Sequence, residues 1–330
     1  MNENWFDAMK QSWKKGLAFF VFAGVIFFAG LFLDNYFYQQ QLTFIGIFTL
    51  LAVGLNMLMG YAGQISLGHA AFYGIGAYTT GALTVHLGWS PWASLPCALA
   101  ASGIIAYIVG KPTLKLSGYY LGMGTLGFGM IMHVLFREWG GITGGPNGLV
   151  GIPSLSLWGI DLSTGRNYLW VVWGCVLITF FICDRLVNSR VGRALRAIHF
   201  SEQAASAVGV DTAKAKLQVF VFSAMVAALA GFLYAHLVMF ISPGSFGFLV
   251  SVKLVAMVVI GGMASIWGAL LGSTLLTMLP EWLHRFSDYE MVIYGGILMG
   301  VMIFLPQGLT RGVLDIYEKF RIERKQPAKD

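Results

Sequence analysis

The chain has 330 residues, of which 57% are hydrophobic and only 11% charged, with a net charge of +6 and a mean hydropathy of +0.72. A water-facing surface normally draws on about a quarter charged residues, so a soluble globular domain is excluded, and a soluble catalytic domain with it. Apolar runs near the roughly 20 residues that cross a bilayer as helix recur from end to end. The fold class that follows is all-α, a polytopic transmembrane helix bundle.

In chain order, Met1 to Lys15 is polar and amphipathic, and the apolar run after it carries no small-residue cleavage site. It reads as a retained first span rather than a signal peptide. Spans are predicted at 17–33, 42–59, 66–86, 92–110, 119–136, 167–183, 217–236 and 289–305, with one longer apolar tract at 250–279. Basic residues gather in four segments: the N-terminus, the short loop with Lys111 and Lys115, the segment 184–216, and the C-terminal tail. The positive-inside rule makes all four cytoplasmic and makes nucleic acid an unsuitable partner for this charge.

That charge pattern tests the span count. If 250–279 crossed once, the basic tail would end outside, so the tract must cross twice or fold back. Its centre, Gly261-Gly262-Met263-Ala264-Ser265, is a natural break between two short helices. About ten membrane-entering helices with both termini cytoplasmic are expected. They divide the chain into a cytoplasmic segment 1–16, a permease domain 17–305 containing the loop 184–216, and a cytoplasmic tail 306–330.

Soluble-enzyme signatures are absent. Gly122, Gly124 and Gly127 spell G-x-G-x-x-G inside an apolar span, with no strand before it, and are read as helix-packing glycines. No phosphate-binding G-x-x-x-x-G-K-[ST] occurs, so the chain has no ATP site of that kind. Cys97, Cys175 and Cys183 show no metal spacing and no disulfide framework. No catalytic or metal-binding residue is assigned.

Polar groups at membrane depth are costly and are functional candidates for that reason. Asn56, Gln64, Ser66 and His69 surround the glycine-rich stretch from Gly60 to Gly68. They either line a pathway or satisfy a broken backbone. His133 and His236 stand near span ends and are expected to be satisfied interfacial histidines, and Lys253 is expected to snorkel. The loop 184–216 opens with a basic amphipathic run containing Arg193 and Arg196. Glu202, Ala204, Ala205 and Gly209 then space a short, small-faced helix ended by glycine.

That last spacing resembles the cytoplasmic "EAA" loop of ATP-binding-cassette (ABC) importer permeases, whose helix sits in a groove of the ATPase subunit. Gly54-Leu55-Asn56 and the run from Gly60 to Phe72 resemble the signature of branched-chain amino acid permeases. Thr143, Gly144, Gly145, Pro146, Asn147 and Gly148, with Gly151-Ile152-Pro153, resemble the external loop of the LivM-type subunit. Ile241-Ser242-Pro243 and Val258 to Met263 complete the pattern, in family order, over about residues 54–280. The chain departs from it at Lys253 and at Ala264-Ser265, changes that bear on the substrate more than on the transport class.

The resemblance implies a permease for branched-chain or related hydrophobic amino acids in a bacterial inner membrane. Implied partners are a homologous second permease, two cytoplasmic ATPase subunits that bind ATP and Mg, and a periplasmic substrate-binding protein. This chain itself would carry no cofactor. Urea or short amides are the alternative cargo. An ion-coupled secondary transporter is the alternative class, but it calls for intramembrane carboxylates that the spans almost wholly lack.

Overall fold

The structure, a computed structural model, describes residues 35–157, 160–162 and 165–283, together with 24, 295–296, 299–300, 303 and 308–310. The expected spans 17–33 and 289–305 lie, apart from those few positions, outside the described residues. Six helices among the described residues are long and apolar enough to cross a membrane.

Helix α1 (Tyr36–Asn56) starts where the Asn35 side chain accepts a hydrogen bond from the Phe37 amide. It runs on into a π-helical turn, Met57–Tyr61, and stops at Gly63, whose φ of +67° only glycine adopts freely. Extended chain follows to Gly68, where α2 (His69–His86) begins. Helix α3 (Pro91–Thr113) opens on a proline, which needs no amide partner at a first helical turn. Helix α4 (Tyr119–Glu138) and α5 (Gly165–Asn188) flank a long loop.

Two short helices follow, α6 (Arg190–Phe200) and α7 (Glu202–Ala207), and then the 27-residue α8 (Thr212–Val238). The apolar tract divides as expected into α9 (Phe248–Gly261) and α10 (Ile266–Leu283), broken at Gly262–Ser265. Within that break Gly262 has φ +115° and Ala264 φ +59°.

The centre is built by α1, α2 and α8. A Cβ added to Gly76 of α2 would strike the Ala228 backbone of α8, and one added to Gly231 would strike the Tyr73 carbonyl. The two backbones touch, as small residues permit in a bilayer. The expected packing role of the α4 glycines is only partly met. Gly122 faces Ile65 and Gly124 faces Leu116, but Gly127 looks into open space, because much of α4 lies on the bundle surface. Exposed Ile104, Tyr107, Ile108, Met130, Ile131 and Val134 mark that surface on α3 and α4.

Apolar periodicity gave no hint of strands, yet the loops between helices contain four among the described residues. Strand β1 (Leu149–Val150) pairs antiparallel with β4 (Phe240–Ile241), and β2 (Ser156–Leu157) with β3 (Ile160–Asp161). Leu149 and Ile241 of the first pair press on Gly81 of α2, closing that end of the bundle.

Candidate functional site

Both breaks in helical structure converge on one turn of α1. The Asn56 side chain is 1% exposed and spans the α9–α10 break, donating to the Ser265 carbonyl at 2.7 Å and accepting from the Ala264 amide at 3.0 Å. These are backbone groups that a broken helix would otherwise strand at membrane depth. Gly60 leaves room for this: a Cβ there would meet both the Asn56 side chain and Ala264.

The second break ends at His69, which is fully buried. Ser223 of α8 donates to the Gly54 carbonyl, which can only accept. The Ser223 oxygen is thereby left to accept from His69 Nε2, at 2.6 Å. His69 Nδ1 then accepts from the Ser66 hydroxyl at 3.2 Å. A neutral, Nε2-protonated ring completes this chain from Ser66 to α1. Two further donors close the break, Leu67 N to Thr125 Oγ1 and Ala70 N to Ser251 Oγ. Gln64 is half-buried, and among the described residues its side chain bonds only Ala62, two positions back. Of the four predicted pathway residues, Asn56, Ser66 and His69 are thus joined to the frame, and Gln64 is not.

A second histidine, His236, stands near the end of α8, and its ring is satisfied as expected. It is fully buried, and its Nδ1 donates to the Pro153 carbonyl at 2.7 Å. Its Nε2 accepts from the Thr80 hydroxyl of α2 at 2.9 Å, and Thr80 in turn meets Ser94 of α3. His133 was expected to be satisfied and is not, since its Nδ1 is buried without a partner among the described residues. Ser223, Thr80 and Ser94 were missed in the sequence because lone hydroxyls in apolar helices resemble ordinary packing residues.

The loop that contains Gly144, Gly145, Pro146 and Asn147, expected to be external, is folded back tightly. Gly144, Gly145 and Gly148 all take positive φ, and the Thr143 hydroxyl donates to the Phe136 and Trp139 carbonyls. His86 and Trp92 hold the carbonyls of Ile142 and Ser156. Between the starts of α2 and α9 lies a gap of about 10 Å³, lined by Ala70, Gly129, Gly247 and Ser251. That is room for about one water molecule and for no larger solute.

Lys253, expected to snorkel, packs against α1. Its ammonium lies 4.6 Å from the centre of the Phe48 ring. Phe48 is the middle of the 26-residue stretch Tyr36–Tyr61, so about 18 Å of helix separates it from either end. A mid-bilayer lysine costs about 2.5–3.5 kcal/mol on insertion scales, and an aromatic ring returns about 0.5–2 kcal/mol. The ring alone does not offset the charge, and Lys253 has no carboxylate partner among the described residues.

The loop 184–216 forms a compact surface. Ser189 and Ser201 cap α6 and α7, and Asp211 caps α8. Arg193, Arg196, Glu202, Ala204 and Gly209 are exposed, whereas Ala205 turns inward and is buried. Glu202 pairs with Lys216 of α8, a buried side chain, so the acidic residue of the motif holds α7 onto the bundle. Phe200 and Val208 project from this surface, 89% and 79% exposed. Beneath it, His199 of α6 abuts Gly63, where the chain leaves α1 for the His69 break.

Residues 37–305 match the family model described as branched-chain amino acid transport system / permease component. The high-affinity branched-chain amino acid transport system permease protein LivM of Salmonella typhimurium is 36% identical over 286 residues, covering 80% of this chain and 67% of the relative. LivM of Escherichia coli K12 is 35% identical over the same shares. The corresponding LivH of E. coli K12 is 26% identical, over 83% of this chain and 95% of the relative. No solved structure matches the chain. The chain belongs to the family of permease components of branched-chain amino acid transport systems.

Proposed function

We propose that the chain is the membrane permease subunit of an ABC importer that brings branched-chain or related hydrophobic amino acids into the cytoplasm. The observation that carries this reading is the 286-residue likeness to LivM, a permease protein of a high-affinity branched-chain amino acid transport system. The simultaneous likeness to LivH supports a sister permease as the second half of the membrane channel. Two ATPase subunits supply ATP hydrolysis with Mg, and a periplasmic protein delivers the solute. The chain itself does no chemistry on its cargo.

The assembly sits in a bacterial inner membrane. Ten helices enter the bilayer, both termini are cytoplasmic, and the segments 1–16 and 306–330 flank the permease domain 17–305. The basic residues of α6 support a cytoplasmic position for α6 and α7. There the exposed Phe200, Ala204, Val208 and Gly209 offer a small apolar knob to a groove on an ATPase subunit. Arg193 and Arg196 flank that knob. Because His199 abuts Gly63, movement of α6 bears directly on the chain that leads to Ser66 and His69. Asn56, Gln64, Ser66 and His69 border the pathway opened by that movement, and the loop Gly144–Asn147 forms its outer cover.

The test is uptake by proteoliposomes holding this chain with its sister permease, ATPases and binding protein. Labelled leucine, isoleucine or valine accumulates only with ATP inside the compartment where the ATPases lie. Uptake of urea or acetamide in place of these amino acids overturns the cargo, and accumulation without ATP overturns the transport class.

A further inference from the structure

The seam between α1 and α9 carries a charge that its own protomer does not finish accommodating. Lys253 stacks on Phe48 at the middle of the longest apolar stretch of α1. Phe44, one turn along, meets Tyr234 at 6.4 Å, and the Tyr234 hydroxyl donates to Ser245 at 3.2 Å. All five side chains are half-buried. A 3-10 turn, Pro243–Phe246, leads to the start of α9 beside them. Hydrocarbon is a poor cover for this seam, since the ammonium would face it with only an aromatic ring as partner.

We propose that Lys253 is a substrate-recognition residue of the translocation pathway. Its ammonium pairs with the carboxylate of the amino acid in transit, and the aromatic wall of Phe44, Phe48 and Tyr234 takes the apolar remainder. The assignment rests on the transport reading above and adds the group that reads the carboxylate. A fixed ion pair with a neighbouring subunit is the competing arrangement, and it differs in one respect: a passing solute would not change access to the lysine.

The experiment uses the assembled transporter in proteoliposomes, with Cys97, Cys175 and Cys183 replaced by serine and Lys253→Cys introduced. Leucine uptake falls at least about tenfold in the variant and returns after reaction with 2-aminoethyl methanethiosulfonate, which rebuilds an ammonium at that position. Methyl methanethiosulfonate, which is neutral, restores nothing. Saturating leucine-loaded binding protein with ATP slows the modification several-fold, and Lys253→Arg keeps uptake within about threefold of the parent. A thiol that does not react, a rate indifferent to leucine, or full uptake by Lys253→Met overturns the assignment. If the parent transporter takes up no leucine, the transport reading falls with it. Leucine uptake by the parent equalled by Lys253→Met removes the lysine role alone.

Discussion

Helices α2 and α8 are clasped twice, and the two clasps are built in opposite directions. Toward one end His69 of α2 reaches Ser223 of α8; toward the other, His236 of α8 reaches Thr80 of α2. The carbonyl at the end of each chain fixes the tautomer, Nε2-protonated for His69 and Nδ1-protonated for His236. They differ in what lies beyond. The His69 chain ends on buried α1, beside the Asn56 bond to the α9–α10 break. The His236 chain ends on Pro153, an exposed residue of the loop between α4 and α5. The difference teaches that one clasp belongs to the frame, where water cannot replace a lost partner, and the other tethers a cover.

The largest effect is expected from removing the surface both clasps share. Gly231→Val drives a side chain into the Tyr73 carbonyl, at a cost of about 3 kcal/mol or more. Little folded permease should remain in the detergent-soluble membrane fraction, by fluorescence-detected size exclusion. His69→Ala strands Ser66 and half of Ser223 away from water and leaves a void. It should destabilise by about 2–4 kcal/mol, read as a lower melting temperature in detergent.

His236→Ala should cost less, about 1–2 kcal/mol. Thr80 keeps Ser94, and water reaches Pro153. Its signature is faster proteolysis of the loop between α4 and α5 with only a small thermal shift. If His236→Ala destabilises as much as His69→Ala, the contrast between frame and cover is wrong. Gln64→Ala is the smallest change, within about 0.5 kcal/mol, because among the described residues the side chain bonds only Ala62. Reduced uptake with unchanged melting would mark Gln64 as lining the pathway.

The helical bundle was legible in the sequence because lipid forces backbone groups to pair internally, leaving long apolar runs as a direct trace. The break at Gly262–Ser265 was legible too, since the charge on the tail required a reversal and glycines supplied it. The partners of the polar residues were not. Asn56 and Ser265 are 209 positions apart, and nothing in either local sequence points to the other. The contact of Lys253 with Phe48 was not legible either, because the sequence of α9 says nothing of which α1 residue it meets. Ala205 was placed with Ala204 on one face, but a six-residue helix lying on the bundle must bury one side.

The central claim is that energy enters this bundle from another chain at the α6–α7 surface. Phe200→Asp tests it most directly, because an 89% exposed side chain can be changed without disturbing the fold. The measurement is ATP-driven leucine uptake by the full complex, with co-purification of the ATPase subunits followed on the same sample. The account predicts a permease that melts like the parent, loses its ATPases and takes up less than about a tenth as much leucine. Parental uptake with the ATPases retained would contradict it.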